Sequence, residues 1–489
     1  MTRLTSLAGL PETVGQPGYD RDALRPGIVH FGLGAFHRAH QAVATEQALA
    51  AAGGNWGITG VNLRSRDTEE RMAPQNGLYT LLVRGPGGTS ARVIGCILGV
   101  KTARDDVAAV LALLEDPGTR IVSLTVTEKA YGRDAATGGL DLAHPAIAHD
   151  LAHPEAPSGV VGFLVEGLAR RRAAGLAPFT PLCCDNLPDN GHVLERLVLD
   201  FARRRDPGLA EWIAANVPFP STMVDRITPA ATEATLADAA ALIGVEDAAA
   251  IETEPFTQWV IEDRFATGRP AWEAAEGVIF TDDVAPFEKM KLRMLNGSHS
   301  LIAYAGALAG LEHVFDVMED PALAPMVRAH MAAAAATLEP LPGMDYAAYA
   351  DALARRFSNR AIRHRTLQIA MDGTQKLPQR LTWPALEALQ AGQPVGSFAF
   401  AVAAWMHFVE QAVAAARPLD DPQAGALAAC VARVDGGSAE AMVAALSAPP
   451  GLMPPALRDN AVWTEACARA LALLRAEGPR AAAVAMPLH

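Results

Sequence analysis

The sequence predicts an α/β N-terminal domain built on a parallel sheet, followed by an all-α C-terminal domain. Short apolar runs alternate with helix-like stretches as far as Thr281-Asp282-Asp283, which is the pattern of a parallel sheet. Beyond that segment the strand-like runs all but disappear and alanine-rich helical stretches take over. The chain of 489 residues is also too long for one ordinary core. We therefore expect two domains, residues 1–285 and 286–489.

The individual elements follow from the same pattern. Strands are expected in the short apolar runs at residues 27–31, 56–63, 79–83, 92–98, 121–126, 179–184 and 222–224. Helices are expected between several of them, at residues 39–51, 105–114 and 160–172. The C-terminal helices are expected at residues 288–308, 326–338, 347–356, 398–415 and 463–477, separated by turns that carry Pro or Gly.

Composition excludes several classes of protein. The net charge of −13 and the absence of a Lys/Arg-rich tract argue against a nucleic-acid partner. The five cysteines form no Cys-x-x-Cys pair, so neither a disulfide framework nor a zinc knuckle is indicated. His37 and His40 lack further ligands nearby, so we predict no metal site. The N-terminus lacks an apolar signal core and no run of 18 apolar residues occurs, so we expect a cytoplasmic protein without a membrane span.

A glycine-bearing turn follows the first predicted strand and precedes a helix. Residues 32–37 read Gly-Leu-Gly-Ala-Phe-His, whereas the dinucleotide fingerprint is Gly-x-Gly-x-x-Gly. His37 replaces the third glycine. The placement predicts a Rossmann-type domain with cofactor contacts from Gly32, Gly34, Phe36 and His37. An ordinary strand-to-helix turn is the alternative.

The end of the second strand bears on the choice of cofactor. Arg66 and Asp67 follow it. An acidic residue at this point accepts hydrogen bonds from the ribose hydroxyls of NAD, whereas an arginine accommodates the additional phosphate of NADP. Asp67 therefore predicts NAD, and Arg66 leaves NADP open. The alternative is a charged loop.

Polar residues follow three further predicted strands. In parallel α/β sheets, ligands bind beyond the carboxyl ends of the strands. Thr127 and Glu128 follow one strand, and we predict cofactor contacts from both. Asn186 and Asp225 follow two others and are candidates for binding a reacting oxygen or supporting that site. Turn residues and a structural ion pair are the alternatives.

Three polar side chains interrupt the apolar helix predicted at residues 288–308. Lys291, Asn296 and His299 fall within nine residues of one another. Burying such groups costs free energy unless they find partners. One explanation is chemistry at a hydroxyl or carbonyl, in which the lysine moves the proton and the amide and imidazole hold the oxygens. The alternative is a structural polar network.

Together these motifs resemble the polyol-specific long-chain dehydrogenases, a family that includes mannitol 2-dehydrogenases and fructuronate reductases. The similarity extends over nearly the whole chain. The runs that carry it are residues 32–41 (GLGAFHRAHQ), 184–186 (CDN), 223–229 (MVDRITP), 254–259 (EPFTQW) and Lys291-x4-Asn296-x2-His299. The resemblance implies metal-independent, NAD(P)-dependent oxidation of a secondary alcohol, with the active site in the cleft between a Rossmann-type domain and a helical domain.

The resemblance also implies a role for each matched residue. Lys291 would be the general acid/base, and Asn186 and Asn296 would stabilise the oxyanion. His299 would bind a substrate hydroxyl, and Asp225 would support the network. A lysine base near neutral pH requires a pKa lowered from about 10.4 to roughly 7–8, which desolvation could supply.

The substrate is indicated by residues 363–380, which are more similar to fructuronate reductases than to mannitol dehydrogenases. Gln368 stands where mannitol dehydrogenases carry arginine, while Lys376 is shared. A sugar-acid carboxylate requires a cationic partner, and Arg365 and Lys376 are the candidates. We therefore expect the interconversion of D-mannonate and D-fructuronate. D-Mannitol or D-arabinitol oxidation is one alternative and a non-catalytic NAD-binding sensor is another. We also expect a small-molecule substrate, and a protein that is a monomer or a small homo-oligomer.

Overall fold

The apolar run predicted as the first strand lies at the centre of a five-stranded parallel sheet in the computed structural model, which describes residues 2–134, 137–434 and 436–487. The chain divides into two compact units, Met1–Ala285 and Pro286–His489. The strands of the first unit are β1 (Pro26–Phe31), β2 (Gly57–Asn62), β3 (Tyr79–Gly85), β4 (Gly88–Ile94), β5 (Ile97–Thr102), β6 (Ile121–Leu124), β7 (Thr180–Cys183), β8 (Thr222–Asp225), β9 (Ile251–Thr253), β10 (Gln258–Glu262) and β11 (Val278–Thr281).

Helices connect these strands and cover the central sheet. They are α1 (Ala35–Ala39), α2 (Gln41–Ala52), α3 (Asp67–Met72), α4 (Val107–Glu115), α5 (Pro145–Ala152), α6 (Val160–Ala173), α7 (Asn190–Arg205), α8 (Pro207–Asn216) and α9 (Glu233–Ile243), with 3-10 turns at Ala73–Gln75, Glu128–Tyr131 and Trp272–Ala274. The two faces of β1 belong to separate cores. Val29 and Phe31 pack with residues of α6, including Phe163, and Ile28 packs on the opposite face with residues of α2.

The central sheet has the strand order β5-β2-β1-β6-β7, and all its pairings are parallel. The chain moves outward from β1 to β2 and β5, then returns to the other side of β1 with β6 and β7. The direction of winding therefore reverses between β1 and β6. In doubly wound sheets a dinucleotide binds at this switch point. The predicted α/β class with a Rossmann-type N-terminal domain is confirmed.

Two smaller mixed sheets depart from the predicted pattern. One has the order β4-β3-β9 and the other β11-β10-β8, and each contains an antiparallel pair. Strands β3 and β4 are joined at Gly85–Gly88, and so short a turn can link only antiparallel strands. The single strand predicted at residues 92–98 is wrong: β4 ends at Ile94 and β5 begins at Ile97.

The second unit is helical, as predicted. Its elements are α10 (Ala285–Met290), a π-helical segment (Lys291–Asn296), α11 (Gly297–Leu308), α12 (Val314–Glu319), α13 (Leu323–Ala336), α14 (Tyr346–Phe357), α15 (Thr366–Ile369), α16 (Gly373–Leu377), a second π-helical segment (Pro378–Thr382), α17 (Trp383–Gln390), α18 (Gly396–Ala414), α19 (Ala424–Arg433), α20 (Ala439–Leu446), α21 (Pro455–Arg458) and α22 (Ala461–Ala485), which is kinked at Gly478.

Helix α18 forms the centre of this unit. Phe398 and Phe400 are fully buried and share one core with Trp463 and Leu471 of α22. By length and composition α18 is apolar enough to cross a membrane, but 67% of its most apolar window is buried inside the protein. Burying one large apolar side chain contributes about 1.5–3 kcal/mol. The apolar character of α18 is therefore explained by its position in the core.

Candidate active site

The glycine turn after β1 lies at the carboxyl edge of the central sheet, beside β6. Gly32 has a φ of +90°, and a Cβ atom on it would lie 2.1 Å from the carbonyl oxygen of Thr125. Glycine is therefore required there by the packing of the two strands. Above Gly34 there is open space, since a Cβ atom would meet only the Gly32 carbonyl oxygen, at 3.8 Å. The turn is braced by Asn62, whose Oδ1 accepts a hydrogen bond from the Leu33 N–H at 2.9 Å.

These features fit a dinucleotide. Helix α1 begins directly after Gly34 and has no side-chain cap, so its first N–H groups lack intrahelical partners. Phe36 is half-buried and stacks on His40. The His37 ring is fully buried and stacks on His30 at 3.5 Å, so only the backbone of His37 is available to a cofactor. Burial lowers the pKa of His37 well below its usual value, and the neighbouring His30 lowers it further.

The two residues after β2 that bear on cofactor choice, Arg66 and Asp67, have different surroundings. Arg66 forms a two-pronged ion pair with Asp105, with Nε and Nη2 at 2.6 and 2.7 Å from the carboxylate oxygens. That hydrogen bonding raises the pKa of Arg66 and lowers the pKa of Asp105. Asp67 is exposed at the start of α3, and its carboxylate has no partner among the residues the structure describes. The Asp67 carboxylate is thus available to accept hydrogen bonds from a ligand, whereas the Arg66 donors are occupied by Asp105.

The loop after β6 is held by Asp185, which follows β7. The Asp185 carboxylate accepts hydrogen bonds from the backbone N–H groups of Val126 and Thr127, at 3.0 and 3.1 Å, and from the hydroxyl of Tyr131 at 2.6 Å. Burial raises the pKa of Asp185, and these hydrogen bonds oppose the shift. Thr127 adopts a φ of +77°, which is unusual outside glycine. Thr127 and Glu128 are exposed at the sheet edge.

Asn190, which was not singled out from the sequence, connects the ends of β7 and β8. Its Nδ2 donates to the carbonyl oxygens of Asp185 and Thr222, at 3.0 and 2.8 Å, and its Oδ1 accepts from the Thr222 N–H at 2.9 Å. The segment after β7, which carries Asn186, is joined in this way to the start of β8, the strand that ends at Asp225. Asn186 is exposed and Asp225 is 5% exposed. Asn190 is the first residue of α7, and an Asn at a helix start gives no sequence signal for such a brace.

Arg226 is a structural residue. It is buried, and its guanidinium donates to the backbone carbonyls of Ala39 and Glu254. Burial lowers the pKa of Arg226 to about 10. The side chain therefore anchors the segment after β8 through backbone carbonyls.

In the second unit, Lys291, Asn296 and His299 lie on one continuous helix that contains a π-helical segment. All three are buried, at 7%, 6% and 8% exposure. The Gly297 N–H donates to the carbonyl oxygen of Leu292, five residues back. In a regular α-helix, residues five apart diverge by about 140° around the axis. Hydrogen bonding from i to i+5 instead places Asn296 about one turn from Lys291, and such segments are frequent at functional sites.

Two polar atoms of this group, Asn296 Oδ1 and His299 Nε2, are buried with no hydrogen-bond partner among the described residues. The His299 ring packs against Phe357, with ring centres 4.4 Å apart, and edge-on to His364. Burial lowers the pKa of His299 well below its usual value, and the neighbouring His364, Arg380 and Arg356 lower it further. The imidazole is therefore neutral near neutral pH.

A second π-helical segment, Pro378–Thr382, packs against the first. Pro384 lacks the N–H that would bond to the carbonyl of Arg380 in a regular helix. The Trp383 N–H donates instead to Pro378, five residues back. Arg380 itself contacts the first segment: its Nη1 lies 3.3 Å from Ser300 Oγ and 3.5 Å from the Asn296 carbonyl oxygen.

The three residues predicted to bind substrate, Arg365, Gln368 and Lys376, differ in exposure and in their partners. Arg365 and Gln368 are exposed, and Arg365 pairs with Glu312 at 3.3 Å. Lys376 is half-buried, and its Nζ donates to the Met371 carbonyl at 2.7 Å. Burial lowers the pKa of Lys376, and the charge of Arg380 lowers it further. Only Lys376 of the three is thus electrostatically coupled to the group around Arg380.

A doubly wound sheet with this glycine turn, and a helical unit carrying a buried Lys, Asn and His, define an oxidoreductase with a dinucleotide-binding domain. Two family models match: the mannitol dehydrogenase Rossmann domain over residues 26–274 and the mannitol dehydrogenase C-terminal domain over residues 283–471. The chain belongs to the mannitol dehydrogenase family and is an oxidoreductase. The family and the enzyme class expected from the sequence are confirmed.

Individual relatives agree with this assignment. Uncharacterized oxidoreductase YeiQ of Escherichia coli (strain K12) is 46% identical over 94% of both chains. D-Mannonate oxidoreductase of the same organism is 48% identical over 83% of this chain and 85% of its own. The structure of Pseudomonas fluorescens mannitol 2-dehydrogenase in complex with NAD and D-mannitol superimposes with a TM-score of 0.86 at 37% identity, covering 99% of each chain. Relatives with sugar-acid and polyol names both occur.

Proposed function

We propose that this protein is a cytoplasmic NAD-dependent oxidoreductase that interconverts D-mannonate and D-fructuronate without a metal ion. The observation that carries the proposal is the set of guanidinium charges near His299, which come from Arg356 and Arg380; Arg380 also lies 3.3 Å from Ser300 Oγ. A sugar acid brings a carboxylate that complements such a set, whereas a polyol does not. The 48% identity to a D-mannonate oxidoreductase supports the same substrate.

The reaction needs a group that moves the hydroxyl proton. In this proposal Lys291 accepts it in the oxidative direction and returns it in the reductive one. Its burial in an apolar helix supports the assignment, because desolvation favours an uncharged amine. Asn186 and Asn296 donate to the substrate oxygen as negative charge develops on it. The neutral His299 hydrogen-bonds a neighbouring hydroxyl through Nε2, and Asp225 supports this network.

The cofactor is proposed to bind at the switch point of the first unit. Bound NAD would take up the hydride released from the carbinol carbon. The N–H groups at the start of α1, after Gly34, would hold the pyrophosphate, and the Asp67 carboxylate would accept from the ribose hydroxyls. Thr127 and Glu128 would line the same edge. NAD is favoured over NADP because the Arg66 guanidinium is already paired with Asp105.

Oxidation of D-mannitol is the second candidate, supported by the structural similarity to a mannitol 2-dehydrogenase. The deciding measurement is kcat/KM for D-mannonate and for D-mannitol, followed at the nicotinamide absorbance band with NAD and with NADP. We expect D-mannonate with NAD to give the highest value. A higher value for D-mannitol would contradict the proposed substrate while retaining the enzyme class.

A further inference from the structure

Arg380 lies beside the helix that carries Lys291, Asn296 and His299. Its Nη1 lies 3.3 Å from Ser300 Oγ and 3.5 Å from the Asn296 carbonyl oxygen. Its charge also acts on the His299 imidazole. The guanidinium is therefore next to the polar atoms assigned to the substrate, on a helical segment packed against theirs.

The charge of Arg380 is not balanced by a carboxylate. Arg365 pairs with Glu312 at 3.3 Å, and the Lys376 amine lies 3.8 Å from Asp372. No comparable ion pair is made by Arg380 in the part of the chain that the structure describes. Arg380 is half-buried. Removing a charge from water without a counter-ion costs free energy, and burial correspondingly lowers the pKa of Arg380 to about 10.

Most of the donors on Arg380 are also unused. A guanidinium carries five N–H donors in a planar fork. Both hydrogen bonds of Arg380 within the described residues come from Nη1, so Nε and Nη2 donate to no protein acceptor there. This fork matches the two oxygens of a carboxylate.

We propose that Arg380 binds the carboxylate of a sugar-acid substrate and so determines the preference of this enzyme for sugar acids over polyols. The inference rests on the proposed function, and it replaces Arg365 and Lys376 as the carboxylate partner. Lys376 then contributes its positive charge to the surroundings of Arg380 without contacting the carboxylate, and Arg365 remains a surface residue.

The test compares four variants with D-mannonate and D-mannitol as substrates and NAD as cofactor. Arg380→Gln removes the charge, and Arg380→Lys keeps the charge without the fork. Arg365→Gln tests the competing candidate. Arg328→Gln is the matched control, because Arg328 is an exposed arginine of the same unit that pairs with Asp351. NAD affinity serves as the folding control.

We expect Arg380→Gln to raise KM for D-mannonate by roughly 10- to 100-fold, the value of a charged hydrogen-bond pair, and to change D-mannitol kinetics by less than about threefold. Arg380→Lys should recover part of the loss, and Arg328→Gln should match the wild type. Equal losses on both substrates, or a selective loss in Arg365→Gln instead, would overturn the inference.

Failure of the proposed function is recognised separately. If the wild type oxidises D-mannitol but not D-mannonate, the proposed substrate is wrong. D-Mannonate is then measured as a competitive inhibitor of D-mannitol oxidation. A Ki that rises at least tenfold in Arg380→Gln would retain Arg380 as a carboxylate site, and the absence of inhibition in the wild type would refute it.

Discussion

A Cβ atom on Gly297 would lie 2.9 Å from the carbonyl oxygen of Arg380 and 2.9 Å from Nε2 of His330. Glycine at this position therefore lets the two π-helical segments approach each other. The Arg380 carbonyl is available for so close a contact because Pro384 has no N–H to bond it. The helix that carries Lys291 and Asn296 is thus packed closely against the segment that carries Arg380.

We predict that Gly297→Ala destabilises the protein by about 1–3 kcal/mol through overpacking and lowers kcat. Urea unfolding and steady-state kinetics measure the two effects. Gly425→Ala is the matched control, because Gly425 is also helical and a Cβ there meets nothing within 4 Å. The control should be neutral or stabilising by up to about 1 kcal/mol. Equal stability of the two variants would contradict the close approach.

For Lys291→Ala we expect turnover to fall by several orders of magnitude while NAD affinity is preserved. The variant removes the proposed proton acceptor and leaves the dinucleotide-binding unit unchanged. Lys289→Ala is the control, since Lys289 is two residues away, partly exposed and paired with Glu387 at 3.3 Å. An exposed pair contributes at most about 1 kcal/mol, so its turnover should remain close to wild type. A mild loss in Lys291→Ala would exclude it as the acid/base.

The fold could be predicted from the sequence where local pattern and tertiary structure agree. Strand β1 is apolar at nearly every position because helices cover both faces of the sheet, and it was found within one residue. Strand β9 (Ile251–Thr253) has three residues and is stabilised mainly by pairing with β3, so no local pattern identifies it. The glycines of the Gly85–Gly88 turn are typical of a hairpin, so the antiparallel pairing of β3 and β4 is indicated by the sequence. The expectation of a parallel sheet did not include this pairing.

The residues of the candidate site could be predicted from the sequence only where the local pattern identifies them. Lys291, Asn296 and His299 stand out because polar residues interrupt an apolar helix. Arg380 is the last residue of the run 363–380, yet its lack of a carboxylate partner depends on what surrounds it in three dimensions. Arg365 looked equivalent in sequence, and the pairing with Glu312 distinguishes the two.

His330 should make stability depend on pH. It is fully buried, and burial lowers its pKa to about 4, against about 6.5 in the unfolded chain. Between pH 6.5 and pH 4 this histidine is protonated in the unfolded chain but not in the folded protein. The free energy of unfolding therefore falls as pH is lowered from about 6.5, by about 1.4 kcal/mol per pH unit. His330→Leu should reduce the loss between pH 7 and pH 5 by about 2 kcal/mol in urea unfolding. Parallel profiles for variant and wild type would contradict this.

The pairing of Arg66 with Asp105 predicts how cofactor preference can be changed. Asp105→Asn should release the guanidinium, which can then meet the additional phosphate of NADP, and kcat/KM for NADP should rise several-fold relative to NAD. Asp67→Ala should weaken NAD without that gain, because it removes the acceptor and leaves Arg66 paired. If Asp105→Asn leaves the NADP to NAD ratio unchanged, the ion pair does not control selectivity.

Asp185 should act as a positioning residue for the loop that carries Thr127. Its carboxylate accepts three hydrogen bonds, and in Asp185→Asn one oxygen becomes a donor that faces N–H groups. We expect a loss of about 1–3 kcal/mol in stability and a higher KM for NAD, because Thr127 holds a left-handed conformation that needs this support.

Tyr131→Phe is the matched comparison for Asp185→Asn, since it removes only the hydroxyl at 2.6 Å and keeps both backbone contacts. Its KM for NAD should stay within about twofold of wild type, because the two backbone N–H contacts that order the loop are retained. Equal effects of the two variants on KM would show that the backbone contacts do not order the loop.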